Sequence, residues 1–148
     1  MSYMLSHRVR IVSNNKFKTY CRKAFGCARM AYNWGVNEFT LELAKYKESM
    51  ELYNTQLEHN RNIPEEHRES LIKPKFPSVL DLKKRFNAIK SEQFSYVYEV
   101  TKYATQQPFI NLQKAISKYY EAKKNKKTKV GFPKFKKKSL TLSAKCCL

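Results

Sequence analysis

Tyr32, Val36, Phe39, Leu43, Tyr46, Met50, Tyr53 and Leu57 follow one another at steps of four and three residues. That spacing puts all of them on one side of an α-helix, in the pattern of a helix packed along another helix. A strand turns successive side chains to opposite faces and cannot use such a series. A helix is therefore predicted from about Ala28 to His59, roughly 45 Å long at about 1.5 Å per residue. Shorter runs repeat the theme. Phe17, Tyr20, Cys21, Ala24 and Phe25 keep helical spacing behind a cap at Asn14 or Asn15, which predicts a short helix ending near Gly26. Leu82, Phe86 and Ile89 follow Ser78, which can cap a second segment. Tyr96, Val100 and Tyr103, then Phe109, Leu112, Ile116 and Tyr119, continue the periodicity. Pro108 interrupts that last series, and a kink or a fresh helix start is expected there. Between these elements, residues 60–78 hold Pro64, Pro74 and Pro77 and read as an exposed connection.

The two ends read differently. Leu5, His7, Val9 and Ile11 alternate with Ser6, Arg8, Arg10 and Val12, a period of two that predicts a strand with one apolar and one basic face. Leu140 to Leu142 allows a second short strand, and the two could pair. The fold class expected is α+β and predominantly α-helical, with helices inserted between short strands near the two ends. Three glycines among 148 residues leave little material for the tight turns of a many-stranded β fold.

Charge is unevenly placed. Residues 1–37 carry seven basic side chains and no Asp or Glu, and residues 121–148 carry ten Lys against the single Glu121. Most of the +18 formal charge therefore sits at the ends, the footprint expected for a polyanion such as DNA or RNA. Val130, Phe132 and Phe135 interrupt the lysines near the carboxyl end. Cations interleaved with aromatic rings can neutralise phosphates and stack on bases. A surface-seeking membrane helix would need an apolar face that these basic segments lack.

Other functions find little support. No run of about 18 apolar residues occurs, and Met1 to Ser13 has charges where a signal peptide needs an apolar stretch, so a cytoplasmic location is expected. Cys21 and Cys27 are six positions apart and Cys146 and Cys147 are adjacent, spacings unlike those of a zinc knuckle or a redox motif. Asp81 is the single Asp, too few for a two-metal phosphodiesterase, and neither a Ser-His-Asp arrangement nor a Gly-rich phosphate loop is visible. No catalytic residue, metal, cofactor or small-molecule substrate is expected.

Two stretches carry a more specific signal. The run KAFGCARMAYNWGVN at 23–37 and the run GFPKFKKK at 131–138 resemble the amino-terminal half of the TnpB (OrfB) proteins of insertion sequences, compact relatives of type V CRISPR nucleases. The stretch YEVTKYATQQPFINLQKAISKYY at 98–120 is similar to the helix that precedes the basic element in that family. The resemblance implies a wedge-like β domain split around a helical recognition lobe, the two gripping a guide RNA and target DNA. On that reading residues 1–13 form the first wedge strand, 14–122 the recognition lobe with a helix-turn-helix at 14–45, and 123–148 the returning wedge segment and a non-family tail. The family continues into a RuvC-like nuclease and a four-Cys zinc ribbon that do not follow here, so the chain resembles a truncated, non-catalytic member.

The function expected is binding of DNA or a structured guide RNA. Its candidate contacts are Arg8, Arg10, Lys16, Lys18, Arg22, Arg29, Asn33, Lys134, Phe135, Lys136, Lys137 and Lys138. Two rival readings stand beside it: a helical protein-interaction module whose basic ends are solubilising, and a nonfunctional fragment of a decayed transposon gene.

Overall fold

In the computed structural model, residue 12 and residues 14–68, 70–125 and 130–138 are described. They form three α-helices: α1 at Asn15–Arg61, α2 at Val79–Gln93 and α3 at Tyr103–Asn125. Short 3₁₀ turns at Glu65–His67 and Ser95–Glu99 lie between them.

Helix α1 is 47 residues long, about 70 Å at 1.5 Å per residue. Asn14 caps it, its side-chain oxygen accepting from the Phe17 N–H at 2.8 Å. The predicted break at Gly26 does not occur, and the expected pair of helices is one. A glycine inside a helix costs about 1 kcal/mol relative to Ala. Against that, Ala24, Cys27, Ala28, Ala31, Tyr32, Gly35, Val36 and Phe39 are all buried on one continuous face. A turn at Gly26 would split that face and lose more apolar burial than the glycine costs.

α3 lies alongside α1 and runs in the same direction. At one end Lys23 pairs with Glu99, and the Tyr20 hydroxyl accepts from the Thr101 N–H at 3.0 Å. In the middle, Gly35 faces Phe109 and Leu112. At the far end Phe76 bridges Tyr46 and Tyr120, with ring centroids 5.3 and 5.4 Å away. α2 runs the opposite way: Arg85 reaches Glu38 and Glu42, Phe86 meets Trp34, and Phe94 packs with Met30 against the same core. Phe39, Phe86 and Leu112, the largest fully buried side chains, mark where the three helices meet. Each contributes roughly 1.5–3 kcal/mol by leaving water.

Pro108 sits inside α3, which begins five residues earlier and is a single helix. Pro108 is the sixth residue of α3, past the orphan N–H groups of the helix start, so it removes one ladder bond, the one to the Ala104 carbonyl, and the helix runs on through it. The connection at 62–78 is more than a linker. Phe76 docks on Phe39 and Tyr46, and Leu71 lines an open recess together with Tyr53 and Leu57. The seam predicted from Tyr32 to Leu57 is thus buried through Phe39 and only partly covered from Leu43 to Leu57.

The α+β expectation is corrected to all-α: among the described residues there is no strand. Gly131–Lys138, which the resemblance places in the returning wedge segment, is irregular and lies against α1. It has a helix flank to dock on, so it needs no neighbouring strand to hold it. Apart from Val12, the expected strand pair at Leu5–Ser13 and Leu140–Leu142 falls outside the described residues.

Candidate nucleic-acid interface

At about 100° per residue, Lys18, Arg22, Arg29 and Asn33 fall within about 60° of one another on α1. This stripe flanks the buried face and points to solvent, Lys18 and Arg22 being exposed and Arg29 half-buried. Asn33 then ties the carboxyl-terminal basic segment to the amino-terminal helix. Its amide oxygen accepts from the Lys136 N–H at 2.8 Å, and its amide nitrogen donates to the Lys136 carbonyl at 3.1 Å. The side chain copies the donor–acceptor pair of a neighbouring strand, and one residue is held as if in a sheet.

Two further contacts fix the segment. Phe132 packs between Phe39 and Tyr119, with ring centroids 6.3 and 5.3 Å away. The Lys136 ammonium lies 4.3 Å from the centroid of the Tyr32 ring. Burial pushes the Tyr32 phenol above its ordinary value, so the ring meets the lysine as a neutral π face rather than as a phenolate. The segment runs antiparallel to α1, from Phe39 at Phe132 to Asn33 at Lys136.

The cations of this ridge are uncompensated. Among the described residues no ion pair involves Lys16, Lys18, Arg22, Arg29, Lys134, Lys136, Lys137 or Lys138. The carboxylates that do form ion pairs take other partners: Glu38 and Glu42 pair with Arg85, Asp81 with Lys75 and Lys84, Glu99 with Lys23. An exposed row of like charges repels itself and attracts a polyanion.

Of the residues expected at the site, Lys18, Arg22, Arg29, Asn33 and Lys134–Lys138 are brought onto one flank. Phe135 is 59% exposed there, free of the core that Phe132 enters. Lys16 lies farther round α1, at a recess shared with Tyr20, Lys23 and Glu99. Arg8 and Arg10 lie outside the described residues. Sequence reasoning misses Tyr32 as a contact for the ridge, because its place in the apolar seam already accounts for it. Cys27 is buried, its thiol pushed up by burial and then by the charge of Glu99, which suits a packing role over a nucleophilic one. The described residues hold no group of three or more His, Cys, Asp or Glu placed to bind a metal ion, and none of their helices is long and apolar enough to cross a membrane.

Residues 1–48 match a family model, that of the OrfB proteins of IS605-type elements, described as a helix-turn-helix domain. The part of that stretch within the described residues contains one uninterrupted helix. Comparison with curated proteins and with solved structures gives no match.

Proposed function

We propose that this chain, whose amino-terminal part is that of an IS605 OrfB-family protein, binds duplex DNA along the ridge formed by α1 and the segment docked on it. The observation that carries the reading is the Asn33 bracket, which puts the unpaired lysines of residues 134–138 beside the unpaired cations of α1. DNA is the polyanion to which a helix-turn-helix family match points. Phosphate contacts position such a protein on the duplex and supply most of its sequence-independent affinity.

The reading is one of binding without hydrolysis. Asp81 and the carboxylates of α1 that face α2 are occupied by structural ion pairs, so the charge left over on this surface is positive. A structured RNA is the competing polyanion, since it offers the same phosphates in another helical geometry.

Affinity for a 20-base-pair duplex between 50 and 200 mM salt tests the proposal. With about six phosphates neutralised, affinity should fall by roughly 10³ over that range. Substituting Lys134, Lys137 and Lys138 with Ala should reduce the salt slope by about 0.9 for each of these lysines that meets a phosphate. A salt-independent affinity, or one unchanged in that triple variant, would overturn it. Tighter binding of a hairpin RNA than of the duplex would transfer the site to RNA.

A further inference from the structure

A second surface lies at the end of the bundle where the last turn of α2, the Ser95–Glu99 turn and the first turn of α3 come together. Elsewhere in the protein the aromatic rings are mostly used for packing. Tyr32 is core, and Tyr46, Tyr119 and Tyr120 are in ring-to-ring contact with neighbours. Tyr98 and Tyr103 differ. They are 61% and 65% exposed, the two most exposed of the described tyrosines, and among the described residues neither touches another ring.

Each has a lysine instead. The Lys90 ammonium is 5.6 Å from the Tyr98 ring centroid, and that of Lys102 is 5.6 Å from the Tyr103 centroid. The backbone beneath them is anchored. Val97, Val100 and Ala104 are buried, and the Thr101 N–H is held by the Tyr20 hydroxyl. Two rings kept in water, one on an anchored turn and one at the helix start that follows it, each beside a cation, match a nucleotide in both its parts: a flat apolar base and an anionic phosphate. Two carboxylates lie in these elements: Glu99 is neutralised by Lys23, and Glu92, exposed in the last turn of α2, has no ion pair among the described residues. Beside Glu99 opens a recess of about 440 Å³ that brings in Lys16, another cation without an ion pair among the described residues.

We propose that Tyr98 and Tyr103 form a stacking site for unpaired bases of single-stranded DNA. An intact duplex hides its base faces inside the stack and can offer these rings only its edges and backbone, so the site discriminates against it. The proposal concerns a surface separate from the α1 ridge and goes beyond the duplex reading. Each can fail without the other.

The test uses the full chain with a 20-nucleotide oligo-dT, the matched 20-base-pair duplex and oligo-rU. Tyr98→Ala with Tyr103→Ala should weaken oligo-dT binding by roughly 5- to 100-fold for each ring that stacks, and duplex binding by less than about twofold. Tyr98→Phe with Tyr103→Phe keeps the rings and should keep the affinity. Photocrosslinking with 5-iodouracil-substituted DNA should mark peptides containing Tyr98 or Tyr103. Equal losses on oligo-dT and duplex, a Phe variant as weak as the Ala variant, or crosslinks confined to other peptides would overturn the site. Tighter binding of oligo-rU through the same rings would overturn its assignment to DNA.

Discussion

Asn33 makes two hydrogen bonds to a residue 103 positions away, and both are exposed enough for water to compete. Their net contribution is therefore modest, on the order of 1 kcal/mol together, too small to govern folding but enough to bias where Lys134–Lys138 lies. Asn33→Ala should leave the helical circular dichroism and the melt nearly unchanged, while trypsin cuts faster after Lys134, Lys136 and Lys137 and duplex affinity falls. Unchanged cleavage with lowered affinity would mean that Asn33 touches DNA itself. Trp34 has the opposite character. Its ring lies 5.2 Å from Phe86 and 6.2 Å from Phe109, partly buried at the junction of all three helices. Trp34→Ala should cost about 3 kcal/mol, read from the denaturant midpoint. The sequence points to both neighbours, Asn33 as a contact through a family resemblance and Trp34 as core through its place beside Tyr32 and Val36. Packing is legible because the pattern that reveals it is local. The bracket is not, since nothing near Asn33 says which distant peptide its amide will meet.

At the level of the helices, two glycines in α1 separate what periodicity can and cannot tell. A Cβ on Gly26 would meet nothing within 4 Å, and its backbone is helical. Gly26→Ala should therefore stabilise the protein by up to about 1 kcal/mol through helix propensity alone. A glycine sitting in a left-handed turn between two helices would give the reverse sign, so a thermal melt tests whether α1 is continuous. A Cβ on Gly35 would lie 2.8 Å from Leu112 Cδ2 and 3.3 Å from Phe109 Cε1, both on side chains almost wholly buried. Gly35→Ala should destabilise by about 1–3 kcal/mol of overpacking, less the propensity gained. The seam at Tyr32, Val36 and Phe39 is readable because its spacing is that of a helix face. Gly26 misleads because glycine is a common helix end, and the burial that carries α1 through it depends on α3 and the Ser95–Glu99 turn. The basic segment is legible only as lysines interrupted by Val130, Phe132 and Phe135, because where those rings dock is decided by the rest of the fold.

For the molecule as a whole, alkaline pH should weaken the fold. Burial, the largest cause in each case, raises the Cys27 thiol above its ordinary 9.0 and the Tyr32, Tyr96 and Tyr120 phenols above their ordinary 10.0. The unfolded chain releases these protons at lower pH than the folded one, so the folded state binds more of them in that window and stability falls as pH rises. Their contribution should be intact at pH 8 and decline from about pH 9 upward, and Cys27→Ala should remove the earliest part of the decline in denaturant midpoints. The ridge has a limit of another kind, one of length. Phe132 and Lys136 are four peptide units apart, about 13 Å of chain at full extension, while their seats at Phe39 and Asn33 are separated by about 9 Å of helix rise. The span has about 4 Å to spare, so the two seats act as pegs for a cord of limited measure. Removing two residues between them would leave it too short to reach both, and adding one would bow it outward and swing the next lysine to the other side. The lysines are therefore set in phase with the arginines of α1, and the pattern of positive charge is a property of spacing as much as of composition.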